Sequence, residues 1–259
     1  MEFTAGEVSV SVGRNGGRLE SLRIRGIELL CTGDSKATRW GSFPMVPWCG
    51  RLRNAVLDFE GERWVFPSSA PPHASHGFGH TQMWIQTGET EISTDLVEPW
   101  PFGGRVTQRF DLATDHLTVT IEVATTTGGS ARMPAMAGWH PWFRRELGVG
   151  GEAQLVMPEA KMYELDDTAI PTGALVEVPP GPWDNCFTQL DAHPVIRWPG
   201  VVELELSSTF DHWVVFTRPA HALCVEPQSG PPNELNSEPF VVTSDRPLAG
   251  SMTLRWRDA

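Results

Sequence analysis

Long apolar runs are missing from this sequence. The first thirty residues mix acidic and basic side chains with short apolar alternations, and no later stretch approaches the length of a membrane span. A signal peptide and a membrane helix are therefore not expected, and a cytoplasmic location is. Basic clusters are missing too. With 20 Lys+Arg against 32 Asp+Glu the formal charge is −12, and no polybasic run offsets it. Such a field repels phosphate-rich partners at long range, and no basic amphipathic stretch is present to lie on a membrane, so neither nucleic acid nor membrane is expected as a partner.

Disulfide and metal frameworks lack their spacing. Cys31, Cys49, Cys186 and Cys224 are scattered without C-x-x-C, which suits reduced, partly buried thiols. There is no G-x-S-x-G elbow, P-loop, dinucleotide-binding glycine fingerprint or H-E-x-x-H, so nucleophilic, nucleotide-dependent and zinc-hydrolase chemistry all lose their usual signatures. Helical periodicity is scarce as well, because 22 Pro and 25 Gly interrupt any apolar stripe before it covers three turns.

What the chain does contain is alternation. Val8-Ser9-Val10-Ser11-Val12, Leu117 to Val123, Val201 to Leu206 and Ser251 to Trp256 each place apolar side chains at every second position, the pattern of a strand with one buried face. No internal repeat and no low-complexity linker divides the sequence. An all-β, antiparallel sandwich with few short helices is expected, as one domain over 1–259.

Three stretches read as ordered loops on this scaffold: Trp40 to Asn54, Pro67 to Trp84 and Glu226 to Asn236. Each combines Pro and Gly with His, Arg, Trp, Glu or Asn, and loops of this kind are where sites are built. His73, His76 and His80 have helical spacing for a metal site, but Pro71, Pro72, Gly77 and Gly79 oppose a helix there. His76, between Ser75 and Gly77, is the better proton carrier. His140 stands between two tryptophans and before Pro141, an extended segment that reads either as a buried strand-end histidine or as a general acid against an apolar wall. Glu226 follows the apolar run Ala222 to Val225 and precedes Pro227. Partial burial there raises a carboxyl's pKa toward the range useful to a base. Arg51 and Asp184 read equally as an ion pair or as ligand contacts, and Trp48, Trp84, Trp139 and Trp142 as core or as sugar-stacking surfaces.

In order along the chain, Gly16-Gly17-Arg18-Leu19, Pro47-Trp48-Cys49-Gly50-Arg51-Leu52, His76-Gly77-Phe78-Gly79, His140-Pro141-Trp142-Phe143, Asp184-Asn185-Cys186-Phe187 and Glu226-Pro227-Gln228 resemble the motifs of the aldose 1-epimerase (galactose mutarotase) family. The resemblance implies a β-supersandwich whose concave face holds a small-molecule sugar. It further implies Glu226 as general base, His140 as general acid, His76 as a second catalytic histidine, and Arg51, Asp184, Trp48 and Gln228 as substrate contacts. The implied reaction opens and recloses an aldose ring by proton transfer alone, without metal, nucleotide or other cofactor. Departures from the family pattern are Gly50 for the common Asn, Phe78 for Gly, and Trp139 for Asn. Two alternatives stay open: a hexose-6-phosphate mutarotase in which Arg51, Arg53, Arg144 and Arg145 form an anion pocket, and a non-catalytic carbohydrate-binding protein on the same fold. Nothing in the sequence sets the oligomeric state.

Overall fold

The computed structural model describes residues 1–259 and is built almost entirely of antiparallel strands, with three single-turn 3-10 helices as the only helical elements. No helix is long and apolar enough to cross a membrane. The alternating segments form strands where the sequence places them. In His116–Ala124 the side chains of Leu117, Val119, Ile121 and Val123 are buried while the Thr and Glu between them are half-buried, and Val202–Ser208 and Leu248–Arg257 repeat the pattern.

Two large sheets result, one of 11 strands and one of 8. The cluster of buried apolar side chains is continuous between them. Gln108, on the smaller sheet and fully buried, bridges the layers: its Nε2 donates to Gly17 O at 2.8 Å and its Oε1 accepts from Trp139 Nε1 at 3.0 Å, so every polar group at this crossing has a partner. The sheets form the antiparallel sandwich that the alternation predicts.

The larger sheet positions the chemistry. Its centre runs Ser42–Met45, Gly138–Arg144, Ala222–Gln228, His212–Phe216, Asp184–Thr188 in space. Successive side chains on a strand point to opposite faces. Trp139, through its bond to Gln108, faces the smaller sheet; His140 and Trp142 therefore face away, toward the cavity they line.

All three expected loop stretches are partly strand, and Arg51–Leu52 of the first pairs with Ala74–Ser75 of the second. Ser42–Met45 lies within the first, and Ala222–Gln228 carries Glu226 two residues inside a strand rather than at its exit. Pro227 is compatible with that position because the ladder between Gly138–Arg144 and Ala222–Gln228 is registered at Gly138↔Gln228 and at Trp142↔Cys224, with a gap between where Pro141 and Pro227 have no N–H to offer.

Candidate active site

The strand register arranges two rows of side chains across the outer face of the large sheet. Val214 pairs with Glu226 and Cys186 with Val214; in the next row Trp142 pairs with Cys224, Cys224 with Phe216, and Phe216 with Asp184. All of these side chains except the fully buried Cys224 line a cavity of about 320 Å³. That volume lies at the small end for ligand clefts, of order 300–1,000 Å³, and suits a small molecule over an extended chain.

Five of the residues expected from sequence line this one cavity: Glu226, His140, His76, Arg51 and Asp184. His140 Nε2 lies 3.3 Å from Glu226 Oε1, with both side chains almost wholly buried. Phe43 stacks on His140 at 4.8 Å and Trp142 at 5.3 Å, the latter within 6° of parallel, so the imidazole sits in an aromatic sandwich. Burial in this sandwich pushes the His140 pKa down to about 3, with the nearby His80 and Arg18 adding to the effect. Burial also raises the Glu226 carboxyl well above its ordinary value; Asp184 adds to the rise and Arg51 opposes it. Desolvation therefore favours the neutral form of each group, an imidazole facing a protonated carboxyl.

His76 reaches the cavity from a constrained turn. Its φ is 64° and that of Gly77 is also 64°. A Cβ at position 77 would fall 2.0 Å from Val46 O, so only glycine permits the turn. Val46 O also accepts the N–H groups of Phe78 and Gly79 at 2.7 and 3.0 Å, and Gly50 O accepts that of His76 at 2.9 Å. The clamp sets the His76 ring edge-on to His140, with centroids 5.1 Å apart. Its pKa is held well below the ordinary value by burial first, then by His140, His80 and Arg51. Opposite, the Arg51 guanidinium meets the Asp184 carboxylate at 3.5 Å, each partly exposed to the cavity.

Gly50 also has a steric reason. It has φ +60°, and a Cβ there would meet Pro232, another wall of the cavity, at 2.7 Å. The side chain that the family pattern carries at this position has no room here.

Two expected contacts lie elsewhere. Trp48 is 1% exposed and packs within a separate aromatic cluster, 5.3 Å from Phe66 and 4.9 Å from Phe78, off the cavity wall. Gln228 shares a strand face with Glu226 but is covered: its Nε2 donates to Gly230 O at 3.0 Å and touches Cys186 Sγ at 3.8 Å, and Cys186 stands between it and the cavity. Both are placed by core packing, and the cavity takes its aromatic carbocyclic and indole surface from Phe216 and Trp142. His73 is structural: its Nδ1 accepts from Asn54 N–H at 3.0 Å and its Nε2 donates to Thr168 O at 3.0 Å. His80, by contrast, lines the cavity, its pKa pushed down to about 4 by burial.

The four arginines of the alternative anion pocket do not converge on this cavity. Arg53 binds Asp166 at 2.7 Å, Arg145 donates to Pro219 O and Thr217 O, and Arg144 lines a different surface hollow beside His221. Only Arg51 and the exposed Arg39 face the cavity. Thr38 and Arg39 are wall residues that carry no local motif; only the folding of their loop over the sheet brings them here.

The donor atoms of His140, Cys224 and Glu226 lie within 4.8 Å of one another, a set that could hold a metal ion. Burial raises the Cys224 thiol well above its ordinary value, which disfavours the thiolate that a metal would take as ligand.

The fold is that of the galactose mutarotase-like proteins. A galactose mutarotase-like protein from Clostridium acetobutylicum superposes with TM-score 0.84 at 16% identity, covering 100% of this chain and 95% of that one. Galactose 1-epimerase from Lactobacillus acidophilus superposes with TM-score 0.80 at 12% identity, covering 99% and 93%. At these identities the likeness is one of fold. The uncharacterized protein YphB of Escherichia coli K12 is 30% identical over 145 residues, which are 53% of this chain and 49% of that protein, so the chain spans about half the length of this curated relative. The family profile of aldose 1-epimerase matches residues 1–246, nearly the whole sequence, and this chain belongs to that family.

Proposed function

We propose that this protein is a mutarotase that interconverts the α and β anomers of an uncharged aldose through the His140–Glu226 pair. The observation that carries the reading is the 3.3 Å approach of His140 Nε2 to Glu226 Oε1 inside a cavity of small-molecule size. The anomeric hydroxyl and the ring oxygen of a pyranose are bonded to the same carbon, so an acid and a base that act on both must be near neighbours.

The pair carries one proton. With that proton on His140, the Glu226 carboxylate takes the proton of the C1 hydroxyl while His140 delivers its own to the ring oxygen; the C1–O5 bond breaks and C1 becomes an aldehyde. The pair again holds one proton, now on Glu226 and taken from the C1 hydroxyl, while the former His140 proton is on O5. Rotation about C1–C2 presents the other carbonyl face, and reclosure returns each proton with the roles reversed. Positioned acid–base groups each contribute about 10²–10⁴-fold. His76 and Arg51 face the same space as donors to the hydroxyls and to the developing oxyanion.

A phosphorylated aldose is the less favoured substrate, because Arg53 and Arg145 are consumed by other partners and Arg144 opens elsewhere. A purely binding role is less favoured because it has no use for a buried carboxyl and imidazole in contact, a costly arrangement unless a proton moves between them.

The test is anomer exchange by NMR on free and phosphorylated aldoses, with and without EDTA. Acceleration of a free aldose that survives EDTA and disappears in Glu226→Gln is the expected result. Saturable sugar binding with no exchange would replace the enzyme reading by the binding one, and exchange abolished by EDTA would replace the proton-pair mechanism by a metal at His140, Cys224 and Glu226.

A further inference from the structure

Arg18 is 2% exposed and forms no ion pair within the hydrogen-bonding range of a carboxylate. A buried, unpaired guanidinium is costly. Burial brings its pKa down to about 10, which still leaves it charged at neutral pH. It is spent on backbone: the two terminal nitrogens donate to Ala37 O at 2.6 Å and Trp40 O at 2.5 Å, and the Trp40 ring covers the guanidinium at 4.4 Å. The two carbonyls flank Thr38 and Arg39, the residues through which this loop lines the cavity.

The other hydrogen bonds of residues 34–40 are local, from Ser35 Oγ to Asp34 Oδ1 at 3.4 Å, from Lys36 N–H to Asp34 Oδ1 at 2.7 Å and from Arg39 N–H to Lys36 O at 3.0 Å. Thus Arg18 alone ties the loop by hydrogen bonds to the sheet. Gly41, which follows the loop with φ +63°, leaves room for the tie, since a Cβ there would lie 2.8 Å from Arg18 Cδ and 2.6 Å from Leu19 O. We propose that Arg18 is a positioning residue for the sugar site: its buried guanidinium clamps the loop so that Thr38 and Arg39 form a substrate-reading wall over the sheet. A fork with two parallel donors suits a pair of carbonyls, whereas an ammonium offers a single point of attachment.

The proposal rests on the cavity being the sugar site, and the experiment separates the two. Arg18→Met, Arg18→Lys and Trp40→Leu are compared with the unaltered protein by anomer-exchange kinetics on glucose and galactose and by trypsin cleavage after Lys36 and Arg39. Arg18→Met is expected to raise KM about tenfold or more with a smaller change in kcat, since the wall binds ground state and transition state alike. It should also speed cleavage selectively within the loop, with Arg18→Lys intermediate. Loop cleavage and KM both at the unaltered value, with only the melting temperature lowered, would overturn the proposal. If Arg18→Met does not fold, Trp40→Leu decides: faster loop cleavage with raised KM supports the clamp, and no change in either overturns it. Should the unaltered protein exchange no anomers while the variants still open the loop, the clamp stands and the mutarotase reading fails.

Discussion

His140 and Glu226 occupy facing positions on neighbouring strands. The ladder pairs Gly138 with Gln228 and Trp142 with Cys224, and the same register sets His140 across from Glu226, where their side chains approach to 3.3 Å. The residue after each is proline, so the ladder is open where the pair sits. An imidazole and a carboxyl far apart in sequence are thereby held by the two central strands of a sheet.

Removing the proton acceptor should abolish exchange without damaging the fold. Glu226→Gln is expected to lower kcat/KM by about 10²–10⁴-fold, and His140→Asn by a similar amount. The double variant should lose little more than either single one, because the two act as a unit. NMR exchange rates for the four proteins check this, and fully additive losses would count against a shared proton.

The same buried groups make stability depend on pH with opposite signs. The folded pKa values of His140 and His80 are depressed to about 3 and about 4 from 6.5, so between those limits the unfolded chain binds protons that the folded chain refuses, and stability falls as pH falls below 6.5. Each such group contributes a slope of about 1.4 kcal/mol per pH unit. Glu226 is raised above 4.5, so the folded chain retains a proton that the unfolded one releases, and its contribution to stability declines as pH rises above 4.5. Glu226→Gln should therefore gain stability relative to the unaltered protein as pH rises, and His140→Asn should lose less on acidification. Denaturant midpoints measured from pH 4.5 to 8 check both.

Charges on the cavity wall should move the alkaline limb of kcat/KM, which marks loss of the pair's single proton. Asp184 raises the Glu226 pKa and Arg51 lowers it. Asp184→Asn is expected to shift that limb to lower pH and Arg51→Gln to higher pH. Shifts in the same direction would mean that a different group controls the limb.

The two tryptophans should separate by readout. Trp48 belongs to the aromatic core with Phe66 and Phe78, so Trp48→Leu is expected to lower the melting temperature and leave KM unchanged. Trp142 is cavity wall and stacks on His140, so Trp142→Leu is expected to raise KM and lower kcat. Thermal melts and initial rates distinguish them.

Gly77→Ala should be worse than either. The added Cβ meets Val46 O, a backbone atom that also anchors Phe78 and Gly79, and the residue must keep a left-handed φ. A stability loss above about 1 kcal/mol is expected. The variant should also lose activity through displacement of His76, checked by a melt and an exchange assay on the same sample.

By itself the sequence determined the all-β class, because period-two burial such as Leu117, Val119, Ile121 and Val123 is written in local order and needs no partner to be read. The succession of short motifs likewise pointed to His140, Glu226, His76, Arg51 and Asp184, since each carries an ionisable side chain beside a Pro, Gly or aromatic that marks its backbone as special. Tertiary structure alone decided the rest. Trp48 and Trp142 look alike in sequence, yet which of them walls the cavity follows from strand register and from where the Phe66 and Phe78 rings pack. Gln228 shares the face of Glu226 but lies under Cys186, a depth that period-two order does not encode. Thr38 and Arg39 carry no signature; they reach the site through the folding of a loop whose carbonyls Arg18, about twenty residues away, holds. Chain order specifies which face of a strand a side chain takes; what stands across from it is set by strands and loops distant in sequence, and the approach of His140 to Glu226 depends on that juxtaposition.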